Sequence, residues 1–500
     1  MDTLQSNIVQ TRQGAVSGTT ENGSLVFKGI PYAAPPFGPN RFQPPRPHEP
    51  WQGVRDASQY GPTVPKPPYF PPFDTLLPEP VIPGEDCLNL NIWTPSTASA
   101  TLPVLVWIHG GAFANGTGAI DIYEGGKFAR DGVVCVTINY RLGADGFLFV
   151  EDGGGNWGIL DQVAALEWVR DNIAAFGGDA SNVTIAGESA GAFSVTTLLS
   201  LPQTQGLFRR AICQSGAGHH VISPASAKLV GGYLAELLHV PPTLEAIGAV
   251  PYEQLLAAQV QVSGEVFGNP DPAKWGEVAA NLMPFEPVVD GTTIPARPIE
   301  AIQAGASRDV DILVGTNTGE ERLFLVPNGA IDYLSEPILA GTAAAYGLDV
   351  EKALAAYREA RPGASSGDIM EALVTDWFFR IPAIRLAETH NQQEGGNTFM
   401  YLFDWQSPRF NGRLGACHAL EIGFSFDTLD KADNFPLTVP NPPQELADTM
   451  HAAWVAFART GQPGWPQYDT TTRATMVFNT VSTVVNDPKG AERALWEGRR

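Results

Sequence analysis

The chain has 500 residues, 44% of them hydrophobic and 17% charged, a composition that folds around a large core and excludes a disordered chain. Its formal net charge of −22, from 31 basic and 53 acidic residues, sets the surface against nucleic-acid phosphates and anionic lipid headgroups. Small neutral or cationic molecules remain as partners.

The first ten residues carry no basic stretch followed by an apolar one, and no run of about 18 apolar residues occurs anywhere. Neither a secretory signal nor a membrane-inserted helix is therefore expected, and the location predicted is cytoplasmic. Residues 30–50 and 61–83 are dense in proline, which cannot enter helix interiors or central strands, and are read as long loops over the core. Tyr69, Phe70, Phe73, Leu76 and Leu77 make the second loop a candidate wall for a substrate mouth.

From residue 102 onward, short Val- and Ile-rich runs alternate with helix-like stretches. Leu102–His109, Val133–Tyr140, Val183–Gly187, Arg210–Gln214, Ile312–Gly315 and Thr398–Phe403 have the continuous apolar character of parallel strands buried on both faces. Between them, Val163, Leu166, Trp168 and Val169 recur at helical spacing. The predicted fold class is α/β, a large mostly parallel sheet with helices on both faces. Residues 217–300 and 322–395, rich in Ala and Leu, read as helical insertions within a single domain spanning 1–500. The four cysteines are too scattered for a disulfide framework, and with no CxxC pair they offer no metal site.

The segment Val183-Thr-Ile-Ala-Gly187-Glu188-Ser189-Ala190-Gly191 holds a G-x-S-x-G motif between a strand and a run able to continue as a helix. In that setting a serine occupies a strained turn and is lifted above the sheet edge, where it can act as a nucleophile. Upstream, a buried strand ends in His109-Gly110-Gly111-Ala112. Acyl transfer needs backbone N–H groups aimed at the developing oxyanion, and small residues let that oxygen approach. Gly111 and Ala112 are the predicted donors, together with Ala190, the residue after the serine. His109 is read as structural.

In a hydrolase built this way, the acid and then the base follow the serine in the chain. His418, in a loop beyond the Thr398–Phe403 strand, is the candidate base among six downstream histidines. The loop after Ile312–Gly315 offers Glu320 and Glu321 as acids, and spacing does not separate them.

These segments together resemble the type-B carboxylesterase/cholinesterase family over nearly the whole chain. The resemblance is carried by Phe27-Lys-Gly-Ile-Pro31, Glu85-Asp-Cys87-Leu-Asn-Leu-Asn, His109-Gly-Gly-Ala-Phe, Asn139-Tyr-Arg141-Leu-Gly and Asn156-Trp-Gly-Ile-Leu-Asp161. It continues through Gly187-Glu-Ser-Ala-Gly, Pro287-Val-Val-Asp290, Gly315-x-Asn-x-x-Glu320 and His418-x-x-Glu421. It implies an α/β-hydrolase fold, Glu320 as the acid and His418 as the base. It also implies structural ion pairs Arg41–Glu85 and Arg141–Asp161.

The chain departs from the family at three places. Glu321 replaces the glycine usual after the acid, which sets a second carboxylate against Glu320. The cysteine that cholinesterases pair with the equivalent of Cys87 is missing, so Cys87 is expected as a free thiol. No tryptophan stands between Trp51 and Trp93, which removes the choline-binding platform from that loop.

The function expected is hydrolysis of small-molecule esters through an acyl-enzyme on Ser189, without metal or organic cofactor. A hydrolase of amides or carbamates with the same triad is the rival, and a non-catalytic binding protein of this fold the remoter one. The sequence leaves monomer and dimer equally open.

Overall fold

The computed structural model describes residues 7–98, 101–434 and 436–499. At its centre is an eleven-stranded sheet. In chain order its strands are β1 Thr19–Glu21, β2 Ser24–Pro31, β3 Asn89–Thr94, β4 Leu102–Ile108, β5 Val134–Ile138 and β6 Gly178–Glu188. They continue as β7 Arg210–Gln214, β8 Asp311–Asn317, β9 Thr398–Phe403, β10 Ala474–Phe478 and β11 Thr483–Asn486. Across the sheet they lie β11-β10-β9-β8-β7-β6-β4-β5-β3-β2-β1. From β10 to β5 every pairing is parallel, whereas β11 and the trio β3, β2, β1 run antiparallel at the two edges.

Side chains on a strand alternate between faces, and β4 feeds two cores accordingly. Val104, Val106 and Ile108 enter one with Ile185 of β6, and Leu105 and Trp107 enter the other with Ala186. The first core is closed by helices α1 Trp157–Asn172, α2 Ala190–Ser200 and α3 Ile381–Asn391 through Leu166, Val195, Leu198 and Leu386. The second is closed by α4 Gln444–Thr460 through Leu446, Met450, Trp454 and Phe457. This is the mostly parallel, doubly covered sheet that the apolar runs predict.

Five strands escape the sequence reading, the antiparallel edge strands β1 and β2 together with β3, β10 and β11. β3 carries Asn89 and Asn91, residues that strands disfavour, but tertiary hydrogen bonds satisfy them. Asn91 Nδ2 donates to Thr137 Oγ1 at 2.9 Å, and Asn89 Nδ2 donates to the Pro62 carbonyl at 2.8 Å. β10 is short, and β11 is exposed at every residue, so neither shows a buried apolar run.

Of the two ion pairs the resemblance implies, one forms. Arg141 Nη2 and Nε reach the two oxygens of Asp161 at 2.7 and 2.8 Å, in full burial. Arg41 instead bonds Asp145 through Nε at 2.9 Å and caps the carbonyls of Gly248 and Val250 through Nη1. Glu85 cannot be its partner because the turn before β3 leaves Glu85 on the surface. All four cysteines, Cys87 included, are buried and unpaired. Among the described residues, no helix is long and apolar enough to cross a membrane.

Candidate active site

Strands β4 and β6 are neighbours, but β4 leads to β5 on one side while β6 leads to β7 on the other. Such a reversal opens a crevice at the carboxyl ends of the strands. Ser189 stands there, directly after β6, with φ 57° and ψ −125°. Its N–H donates to the Gln214 carbonyl at the end of β7 at 2.9 Å, and its carbonyl accepts the Phe193 N–H that starts α2. The turn needs close approach on both sides. A Cβ on Gly191 would lie 2.0 Å from the Ile108 carbonyl oxygen, and one on Gly187 2.5 Å from the Gly191 carbonyl carbon.

After β4 the backbone passes through three residues of positive φ, Gly111 at 112°, Ala112 at 52° and Phe113 at 59°. Gly110 lets this loop touch the serine turn, since a Cβ there would stand 2.8 Å from the Glu188 carbonyl oxygen and 3.1 Å from Ser189 Cβ. Among the described residues the Gly111 and Ala112 amides have no protein partner. His109 is buried away from the cavity, its ring 4.5 Å from that of Tyr140 and Nδ1 2.8 Å from the Gly110 carbonyl oxygen. Burial lowers its pKa to about 3, so it is neutral.

The loops after β8 and β9 bring in the other two residues. His418 Nδ1 lies 2.8 Å from Glu320 Oε2, and the other oxygen of Glu320 accepts the Asn317 N–H at 2.7 Å. The His418 N–H donates to the Glu320 carbonyl at 3.2 Å, so the two loops are tied through backbone as well. The rings of Phe324 and Phe379 flank the imidazole, with centroids at 5.5 and 4.8 Å.

The fold adds two carboxylates for which sequence reasoning has no role. Glu188, in a variable position of the serine motif, sets Oε1 3.1 Å from His418 Nε2, and among the described residues this buried oxygen accepts no hydrogen bond. Glu421 accepts Asn317 Nδ2 at 2.6 Å and Gln214 Nε2 at 3.2 Å, and Trp454 Nε1 holds Gln214 in turn at 2.8 Å. Burial pushes the Glu188 carboxyl up to about 8 and that of Glu421 to about 7. Burial alone would lower His418, but the facing Glu188 and the bond to Glu320 outweigh it and raise the imidazole to about 9. The facing carboxyl groups thus favour the protonated form of the imidazole. The only sequence signal for Glu188 and Glu421 was their place inside motif segments.

Glu321 does not crowd Glu320 as an anion. Burial, then the charge of Glu371, pushes its carboxyl up to about 8, which leaves it neutral at neutral pH.

Ser189, His418, Gly111 and Ala112 line one cavity of about 140 Å³. Its walls include Tyr69, Leu76, Leu77 and Pro78 of the proline-rich loop, with Ile120, Leu323 and Leu437. Phe70 turns outward instead, 53% exposed, and Phe73 packs on Phe324 with ring centroids 6.2 Å apart.

A parallel sheet that offers a strained serine turn at its carboxyl edge defines the α/β-hydrolase class, and this chain falls within it. Residues 5–496 match the family model described as the carboxylesterase family, and the chain belongs to that family. It is similar to the para-nitrobenzyl esterase of Bacillus subtilis (strain 168), with 38% identity over 98% of both chains. The phenmedipham hydrolase of Pseudarthrobacter oxydans is 36% identical over 92% of each. Among solved structures, a Geobacillus stearothermophilus carboxylesterase superposes with a TM-score of 0.85 at 40% identity, covering 98% of this chain and 100% of that one. The protein is accordingly a carboxylic ester hydrolase.

Proposed function

We propose that this esterase works by double displacement on Ser189, with His418 as base, Glu320 as the acid that orients it, and the Gly111, Ala112 and Ala190 amides as the oxyanion hole. The observation that carries the reading is the 2.8 Å bond from His418 to Glu320 on the cavity that Ser189 lines. His418 takes the Ser189 proton, the oxygen attacks the ester carbonyl, and the three amides face the negative oxygen. The protonated imidazole then gives its proton to the leaving alcohol, and water hydrolyses the acyl-enzyme with the same base. A cavity of about 140 Å³ suits a benzene-sized group, so small esters are the substrates inferred. We read the chain as one α/β-hydrolase domain with helical insertions at 217–300 and 322–395, working in the cytoplasm, where its buried free thiols would persist.

Purified Ser189→Ala should lose nearly all turnover of p-nitrophenyl esters and fail to react with an organophosphonate that labels the wild type once per chain. Undiminished turnover by that variant would sink the assignment. Matched ester, amide and carbamate substrates, run in series of rising acyl length, measure the preference. Faster amide than ester turnover would move the reading to the rival hydrolase.

A further inference from the structure

Of the three consecutive positive-φ residues after β4, Ala112 and Phe113 carry side chains and are costly backbone, and such a segment persists only where its surroundings over-determine it. Part of the restraint is internal, since the Gly111 carbonyl accepts the N–H groups of Ala114 and Asn115, both at 2.9 Å. The next peptide units are gripped from outside, by the proline-rich loop. Glu79 Oε2 accepts the Gly116 N–H at 2.7 Å, and Lys66 Nζ donates to the Gly116 carbonyl at 3.0 Å. Asn115 Nδ2 is held by the Pro67 carbonyl at 2.7 Å and by Glu79 Oε1 at 3.2 Å. Lys66 and Glu79 also pair with each other at 3.4 Å, with side chains only 1% and 8% exposed. The loop that carries them closes at its neck through the Thr63 N–H and the Ile82 carbonyl at 2.9 Å.

We infer that Lys66 and Glu79 are positioning residues for ester hydrolysis, a buried ion pair that clamps both sides of Gly116 and so fixes where the Gly111 and Ala112 amides point. The inference rests on the oxyanion-hole role proposed above for those amides. A buried ion pair is weak as a stabilising device, because well-packed apolar residues of similar size often serve as well. What apolar residues cannot do is bond the N–H and the carbonyl of Gly116. The same loop supplies Tyr69, Leu76, Leu77 and Pro78 to the cavity wall, so the clamp also sets the wall against the amides.

The test compares wild type with Glu79→Gln, Lys66→Met and the double variant Lys66→Met/Glu79→Leu. The readouts are kcat and KM on p-nitrophenyl acetate, inhibition by a trifluoromethyl ketone, and the thermal midpoint. A displaced donor set should lower kcat by about 10- to 100-fold while KM shifts by less than about threefold. Affinity for the ketone, whose serine adduct carries an oxyanion, should fall by the same factor as kcat/KM. The double variant leaves no unpaired buried charge, so its midpoint should return toward wild type while kcat stays low. It also carries the test if a single variant fails to fold. Recovery of kcat together with the midpoint, or unchanged ketone affinity in the variants, overturns the inference. Ketone that does not inhibit the wild type overturns the oxyanion-hole reading itself, and the clamp with it.

Discussion

The two halves of the site are built on different physics. The serine half sits on adjacent strands β4 and β6 and is fixed by backbone sterics, with glycines packed where any Cβ would collide. The base half comes from loops after β8 and β9, and ionisable groups surround it: Glu188, Glu320, Glu321 and Glu421 all act on His418 or on one another. Substitutions in the first half should therefore act through geometry, with little dependence on pH. Substitutions in the second should act through charge, and pH should expose them.

The largest effect after loss of the serine itself is expected in the base half. Glu320→Gln keeps the shape but removes the carboxylate proposed to stabilise the imidazolium and fix its tautomer. kcat should fall by about 10⁴-fold. The rate of phosphonate labelling should fall in parallel, because the proposed mechanism has the same base activate Ser189. Labelling at the wild-type rate would break the proposed link between Glu320 and the nucleophile.

Gly110→Ala tests the steric half. The new methyl would lie 2.8 Å from the Glu188 carbonyl oxygen and 2.9 Å from its Oε2, so the loop that carries the proposed oxyanion donors must move. A misplaced donor costs about 10²–10³-fold in kcat. The loss should be the same across the pH range, and a pH-dependent loss would show that the Glu188 carboxyl, not the loop, had been disturbed.

Glu188→Gln should cost less at its optimum and show its effect in the pH profile. The base must be neutral to act, so kcat/KM rises as pH rises through the His418 pKa. In the wild type that rise lies above the ordinary imidazole value of 6.5, toward about 9, because the carboxylates outweigh burial. Removing the Glu188 charge lowers the His418 pKa, so the acid limb should move to lower pH. A limb that stays put would remove Glu188 from the base's electrostatics.

The difference between the halves also explains what the sequence revealed. The steric half is legible because its constraints are local: Gly187, Ser189 and Gly191 fall within five residues, and Gly110–Gly111 follow a clear buried strand. The base half brings together residues about a hundred positions apart, and spacing does not separate Glu320 from Glu321, a choice that only the family resemblance makes. Glu188 was invisible because its role depends on a contact with a loop 230 residues away, which no local pattern encodes. Arg41 went to Asp145 for a similar reason, since only the folded turn before β3 reveals that Glu85 faces solvent. Lys66 and Glu79 lie in a loop whose prolines mark it as irregular and whose aromatics mark it as a candidate wall, with no local pattern that pairs the two charges.

The smallest effect is expected at Glu321, and it sharpens the comparison most. Its carboxyl is pushed up to about 8, first by burial and then by Glu371, so below that pH it is already neutral. Glu321→Gln substitutes one neutral group for another and should change kcat/KM by no more than about twofold, roughly 0.5 kcal/mol, from pH 6 to 7. Above pH 8 the wild-type residue ionises and adds an anion beside Glu320, which favours the imidazolium and holds back the neutral base. The variant lacks that anion, so its kcat/KM should reach its plateau at lower pH and exceed the wild type only on the alkaline side. A difference at pH 6 that vanishes at pH 9 would reverse the sign and show that Glu321 is charged in the resting enzyme, as a simple count of adjacent carboxylates suggests.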